Sequence, residues 1–422
     1  MKIASILAER EVDSPYAWFR LSMSLLISMI GGVGLWSVVV ILPAVEADFE
    51  LARADASLPY TATMIGFAVG GILMGRRADR HGIVVPLRFG AVALALGYFL
   101  SANAENLWQF VLLQGLLIGM LGSSASFGPV ISDVTHWFQR RRGIAVAIGA
   151  SGSYLAGTVW PPVVQYFVDT HGWRDTHMII AGVCLCTLLP LSAALRERSP
   201  SVPTPLPASP VATPDAPALQ SAGSPLSGRA VQGLLLVAGL SCCVAMAMPQ
   251  VHIVAYCGDL GYGTARGAEM LSLMLATGIV SRLVFGWLAD RIGALPTLIV
   301  SSVMQGLSLL LFLPFTGLIS LYAVSALFGL AQGGIVPTYA LVVRRVFPAA
   351  EAGTRVGLVL SATLLGMALG GWMSGKIFDL TLSYDAAFLN GVAWNVLNLG
   401  VAMFLWLQLD RKGPVRKAAE TV

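Results

Sequence analysis

Charged side chains are scarce in this chain. Lys, Arg, Asp and Glu make up 11% of its 422 residues, and a mean hydropathy of +0.76 leaves too little polar surface to coat a water-soluble globule. Lipid is its natural solvent. Cysteine is also sparse: Cys184, Cys186, Cys242, Cys243 and Cys257 lie mostly within apolar segments, without the spacing of a zinc site or a disulfide framework. They are expected to be small packing residues. The net charge of +4 is not gathered into a Lys/Arg block with interleaved aromatics, which excludes nucleic acid as a partner. No nucleotide loop, metal cluster or nucleophile triad is visible, so neither an enzyme nor a cofactor is expected. The first apolar run follows Glu9, Glu11 and Asp13 and lacks a small-residue cleavage site, so it reads as a retained helix and not a signal peptide.

What the chain has in abundance is apolar runs. A bilayer core about 30 Å thick needs about 20 apolar residues per crossing. Twelve runs fit: 18–44, 57–75, 84–103, 107–136, 143–168, 176–195, 230–256, 266–289, 294–315, 317–345, 354–378 and 385–409. With the amino terminus inside, most Lys and Arg fall on the cytoplasmic side, including Arg76, Arg77, Arg80, Arg140, Arg141, Arg142, Arg344, Arg345 and Lys412. Only Arg53, Arg174, Arg266 and Lys376 fall outside, and Arg282 is left in the membrane. Such a bias orients a polytopic protein with both termini cytoplasmic, here in a bacterial-type inner membrane. The proline-rich stretch 196–229 has almost no large apolar groups and reads as a cytoplasmic linker. The expected organisation is a six-helix bundle over 1–195, the linker, and a second six-helix bundle over 230–422.

Two internal echoes support that division. GRRADRHG at Gly75–Gly82 recurs as GWLADRIG at Gly286–Gly293. ATMIGFAVGGILMGRRAD at Ala62–Asp79 matches ATLLGMALGGWMSGKIFD at Ala362–Asp379, aligning Gly66, Gly70, Gly71 and Gly75 with Gly366, Gly370, Gly371 and Gly375. The second and eleventh runs cross in opposite directions, so this pair is an inverted repeat. Its glycines allow close helix approach.

The two GxxxDRxG loops resemble those of the major facilitator superfamily, and the whole chain fits its plan. The resemblance implies an all-α membrane protein with twelve transmembrane helices in two pseudo-symmetric six-helix bundles. WFQRRRGIAVAIGASGSYLAG at Trp137–Gly157, GWR at Gly172–Arg174 and SRLVFGWLADRIG from Ser281 are similar, more narrowly, to the monocarboxylate and oxalate/formate porter group. At the loop motifs, Asp79 with Arg80 and Asp290 with Arg291 are expected to pair and latch the cytoplasmic helix ends, with Lys376 and Asp379 in the inverted position outside.

Arg282 is the leading candidate for substrate. It lies eight residues before Asp290, about 12 Å along a helix, close to mid-depth. Burying Arg there costs at least about 2.5 kcal/mol and marks a functional site by default. No carboxylate occupies the middle of an assigned run, and a guanidinium binds a carboxylate through two parallel hydrogen bonds. In the porter group, an Arg of the eighth helix holds the substrate carboxylate, and Arg282 matches it by motif. The chain departs from that group in three places: Gly278 stands where mammalian-type members have Asp, 21–44 holds no Lys, and Val356–Gly375 holds no second cation of the oxalate/formate kind. One positive site favours a monoanion. His252, Gln250, Tyr154, Tyr339 and Gln332 are further candidates to line a central cavity. Asp133 is expected to pair with Arg140 or its neighbours.

The expected function is a secondary active transporter for a small organic monocarboxylate, coupled to protons, working as a monomer by alternating access. An oxalate/formate-type antiporter and a proton-coupled drug exporter are the alternatives. Exporters usually carry a membrane carboxylate and a GPxxGG-like fifth helix, where this chain has GTVWPPVV from Gly157.

Overall fold

The computed structural model describes residues 12–197 and 226–409. The calls on the linker and on the two chain ends therefore fall largely outside the described residues. No strand occurs among the described residues, and eleven helical spans are long and apolar enough to cross a membrane. They are α1 (Pro15–Asp48), α2 (Arg53–His81), α3 (Val84–Ala102), α4 (Leu107–Trp137), one long span Gly143–Ala193, α7 (Gly228–Asp259), α8 (Thr264–Ile292), α9 (Ala294–Leu311), α10 (Leu318–Val346), α11 (Glu351–Thr381) and α12 (Tyr384–Leu409). The long span reverses at Gly172, whose φ of 81° and ψ of 166° no helix tolerates, giving α5 (143–171) and α6 (173–193). Twelve crossings result. The turns at 82–83 and 293 thus lie on the membrane face reached by both described chain ends, called here the near face, and those at 49–52 and 258–263 lie on the far face.

The duplicated motif loops have duplicated geometry. α2 stops at Gly82 (φ 81°, ψ 163°) and α8 at Gly293 (φ 93°, ψ 160°), each N–H returning to the carbonyl four residues back, Ala78 and Ala289. Positive φ strains any residue with a Cβ, so the closing glycine of each motif is what lets the chain turn into the next helix.

Packing divides the described chain into two compact units. Among the described residues, one comprises 12–197 together with 250–276 and 371–382; the other comprises 226–249, 277–370 and 383–409. The division follows contacts and not the duplication, so it cuts through α7, α8 and α11, whose far-face ends pack with α1–α6.

In the first unit, α2 lies so close to α4 that a Cβ on Gly66 would strike the carbonyl of Gly115, and one on Gly70 that of Met120. In the second, Gly366 and Gly370 of α11 meet the carbonyls of Leu240 and Val244 of α7 in the same way. The inverted echo therefore encodes two equivalent close approaches, as glycine contacts in membrane bundles do. The equivalence ends at the next glycine pair. Gly71 and Gly75 face open space, whereas Gly371 lies against Tyr60 and Gly375 against Arg53 and Ala54. α4 departs from regular helix over Leu113–Gly122, which is π-helical, and continues as a 3₁₀ turn through Ser126.

The near-face entrance of α1 is built by Asp13–Trp18. Ser14 caps the helix by accepting from Ala17 N–H at 3.4 Å, Pro15 takes the first turn, and the Asp13 carboxylate accepts the backbone N–H groups of Gln139 and Arg140. Tyr16, Leu21, Val134, Trp137 and Phe138 form an apolar cluster beneath. At the far face, Arg174 of the GWR segment donates to the carbonyls of Ala102 and Ala104 at 3.0 and 2.8 Å and to Asp48 at 2.9 Å. That segment is a staple on the ends of α1 and α3.

Candidate functional site

Arg282 sits where α8 crosses a break in α10. α10 is helical over Leu318–Gln332 and again over Ile335–Val346, and between them Gly333 lies against the Gly278 carbonyl and Gly334 against the Phe285 ring. No side chain larger than hydrogen fits there. The break releases the Gly334 N–H, which donates to Ser281 Oγ at 3.1 Å, so a buried hydroxyl satisfies what the helix gives up. Arg282 is the next residue, half-buried, with its Nε enclosed. Gln332, fully buried, ends the first segment of α10 beside this crossing. Arg282 and Gln332 thus each lie next in sequence to a residue of the crossing.

Tyr339, expected to line a cavity, bonds within the second unit. It is fully buried, and its hydroxyl donates to Asn398 Oδ1 at 2.5 Å; Asn398 in turn donates to Ser302 Oγ at 2.9 Å. Nearby, Asn395 donates to Gln305 at 2.9 Å and Gln305 to the Cys242 carbonyl at 3.2 Å. These side chains knit α9, α10 and α12 to α7, the more common use of polar groups inside a bundle.

Tyr154, Gln250 and His252 belong to the first unit. All three are buried. The His252 Nε2–H donates to the Gly371 carbonyl at 2.8 Å, so the imidazole bridges α7 to α11.

The expected gating residues part company. Asp79 and Arg80 at the end of α2, and Asp290 and Arg291 at the end of α8, are exposed, and among the described residues none of the four makes an ion pair; Arg291 lies 4.1 Å over the Trp287 ring. The near-face latch is not formed in this structure. Lys376 is exposed and likewise makes no ion pair among the described residues. Asp379 is engaged, and its partner is the segment that opens α2. Its two carboxylate oxygens accept the backbone N–H groups of Arg53 and Ala54 at 2.8 and 2.9 Å. The Arg53 side chain, 7% exposed, reaches Glu46 at 2.7 Å through Nε and Asp259 at 3.0 Å through Nη1, and lies 4.8 Å over the Phe378 ring. This clasp joins the far-face ends of α1, α2, α7 and α11.

A second ion pair differs from the one expected. Asp133 takes two bonds from Arg20, Nε at 2.8 Å and Nη2 at 2.9 Å, and not from Arg140, whose side chain is exposed. Asp13 holds the 139–140 backbone outside the bundle, while Arg20 enters it on α1 and lies 4.7 Å from the Trp137 ring.

Comparison with known proteins agrees with this architecture. The model of the Major Facilitator Superfamily matches residues 24–294 and 268–422. The chain belongs to the Major Facilitator Superfamily. It is similar to monocarboxylate transporter 11 of Homo sapiens, 28% identical over 89% of this chain and 80% of that protein, and to monocarboxylate transporter 13 of Bos taurus, 25% identical over 83% and 79%. A bacterial homologue of the human lysosomal transporter Spinster, solved in an inward-facing, occupied conformation, superposes with a TM-score of 0.71 over 94% of this chain and 97% of that one, at 14% identity. Family and structural relatives are transporters and not enzymes, and the chain is a multi-pass membrane transporter of this superfamily.

Proposed function

We propose that this transporter carries a small organic monocarboxylate together with a proton, by alternating access, and that Arg282 binds the substrate carboxylate. The observation that carries the reading is the placement of Arg282 at the glycine-built crossing of α8 and α10, half-buried with its Nε enclosed. A guanidinium there offers two parallel N–H donors to a planar carboxylate, in surroundings where charge-assisted hydrogen bonds are strong. The names of the relatives favour the same substrate class. In the cell, the excess of Lys and Arg favours a cytoplasmic near face. An impermeant thiol reagent added outside cells should then label Ser383→Cys and spare Ser227→Cys.

The test of function is uptake and binding of lactate, pyruvate, formate, oxalate and aromatic acids by proteoliposomes under imposed pH gradients. A monocarboxylate should accumulate when the outside is acid. Arg282→Gln should weaken its binding about 100-fold, the worth of the lost charge-assisted pair. Arg282→Lys should weaken it about tenfold, because an ammonium keeps the charge without the two-pronged geometry. Folded Arg282→Gln protein that binds the acid with unchanged affinity would remove the site, and transport of neutral compounds alone would remove the substrate class.

A further inference from the structure

The far-face clasp carries more carboxylate than its cation can neutralise. Two acids reach the Arg53 guanidinium, Glu46 from α1 and Asp259 from α7, while a third, Asp379 from α11, accepts the Arg53 and Ala54 backbone N–H groups. We propose that this clasp is a latch on the far side of the transport path, held shut by Arg53 and released when Glu46 takes up a proton from that side. The inference deepens the proton-coupled reading above by giving the proton a place to act, and it rests on that reading for its role in transport.

The geometry distinguishes the three acids. Asp379 uses both oxygens to accept backbone N–H groups, at 2.8 and 2.9 Å, an arrangement that supports its charge independently of the Arg53 side chain. Asp259 is 42% exposed, and water shares the burden of its charge. Glu46 is 21% exposed and meets Arg53 Nε at 2.7 Å. Its ionised form therefore depends most heavily on Arg53, and its protonation removes the Nε partner from a guanidinium that is itself almost wholly buried. The other charged groups around the clasp do not substitute. His252 on α7 is bonded to the Gly371 carbonyl, Asp169 on α5 to Gln165, and Arg266 on α8 pairs with Glu269 of the same helix. Asp55 on α2 and Lys376 on α11 are exposed.

Release has a mechanical consequence because the same residues position helix ends. Gly375 sits against the Arg53 carbonyl and the Ala54 backbone, with 2.9 and 3.0 Å to a hypothetical Cβ, and Gly371 against Tyr60. The far end of α11 is thus seated on the start of α2 by glycine contact and fastened there by Asp379. Losing charge at Glu46 leaves the glycine seat and the Asp379 bonds in place but frees the Arg53 side chain, which lies over Phe378 of α11, from its tie to α1, so opening is favoured as pH falls and closure as pH rises. Arg53 acts here as a positioning residue, and Glu46 is its proton-responsive partner.

A cysteine reporter tests the latch without substrate. Ser374 on α11 is 2% exposed, and Ser374→Cys in an otherwise cysteine-free protein in nanodiscs reports opening through its rate of reaction with a hydrophilic thiol reagent. Each rate is divided by that of Ser383→Cys at the same pH, which cancels the intrinsic change in thiolate. The ratio should rise about tenfold as pH falls from about 7.5 to about 5.5. Glu46→Gln should show the high ratio throughout the range, as should Arg53→Gln, while Arg53→Lys should fall between. A wild-type ratio that does not change with pH, or Arg53→Gln protein as protected as wild type, would overturn the latch. Full pH dependence in folded Glu46→Gln protein would overturn the assignment of the proton to Glu46. Arg282→Gln should leave the ratio unchanged, so failure of the substrate site and failure of the latch are read from separate measurements.

Discussion

Arg20 holds Asp133 with two parallel hydrogen bonds, Nε to Oδ2 at 2.8 Å and Nη2 to Oδ1 at 2.9 Å, joining α1 to α4 across 113 residues of sequence. The guanidinium is 2% exposed and the carboxylate 13%. Its remaining Nη1 is buried without a hydrogen-bond partner, as is Nε1 of Trp137, over whose ring the guanidinium lies. A buried pair of this kind has paid a large desolvation cost and adds little net stability as a pair, but each partner depends on the other.

Asp133→Asn should therefore destabilise the protein by about 3–5 kcal/mol, because it leaves a buried Arg without its counter-charge. Arg20→Gln together with Asp133→Asn should recover a large part of that loss. Thermal unfolding in detergent measures both. A single Asp133→Asn variant as stable as wild type would mean that the guanidinium has found another partner or water.

Two glycines on α2, five residues apart, should respond in opposite ways. Gly66→Ala puts a Cβ against the Gly115 carbonyl, and a backbone atom cannot swing aside as a side chain can, so a loss of about 1–3 kcal/mol is expected. Gly71 has nothing within 4 Å, and Gly71→Ala should be neutral or gain up to about 1 kcal/mol from helix propensity. Equal melting temperatures for the two variants would contradict the close approach of α2 to α4.

These residues also show what could be read from sequence. The twelve apolar runs reported crossings because the bilayer sets their length, and the paired motifs reported matching turns because Gly82 and Gly293 must adopt positive φ. The inverted glycine repeat reported close packing at Gly66, Gly70, Gly366 and Gly370 but not the asymmetry at Gly71 and Gly371, which depends on what another helix presents. Charge pairing was the least legible feature. Arg140 lies seven residues from Asp133 and was the nearer candidate in sequence, yet Arg20 is the partner; Asp379 meets Arg53 across 326 residues. Local spacing gives the face of a helix, and the identity of the opposite face is fixed only by packing. Arg53 carried one detectable signal: it is one of few basic residues on the far side, placed just after Glu46 and at the start of an apolar run.

Tyr339 provides the sharpest contrast between a polar residue that lines a path and one that holds helices together. Its hydroxyl is fully buried and donates to Asn398, whose amide continues to Ser302. Tyr339→Phe should cost about 1–3 kcal/mol, because the ring volume is kept while a buried carbonyl oxygen loses its donor. Substrate affinity should remain as in wild type. Asn398→Ala made alone and in the Tyr339→Phe background completes a double-mutant cycle, in which a coupling of about 1 kcal/mol is expected for residues in direct contact. A cavity-lining tyrosine gives the reverse pattern, with affinity falling and the melting temperature unmoved. Measuring both quantities on the same purified variants separates the roles, since a loss of affinity that tracks unfolding disappears when binding is referred to the folded fraction.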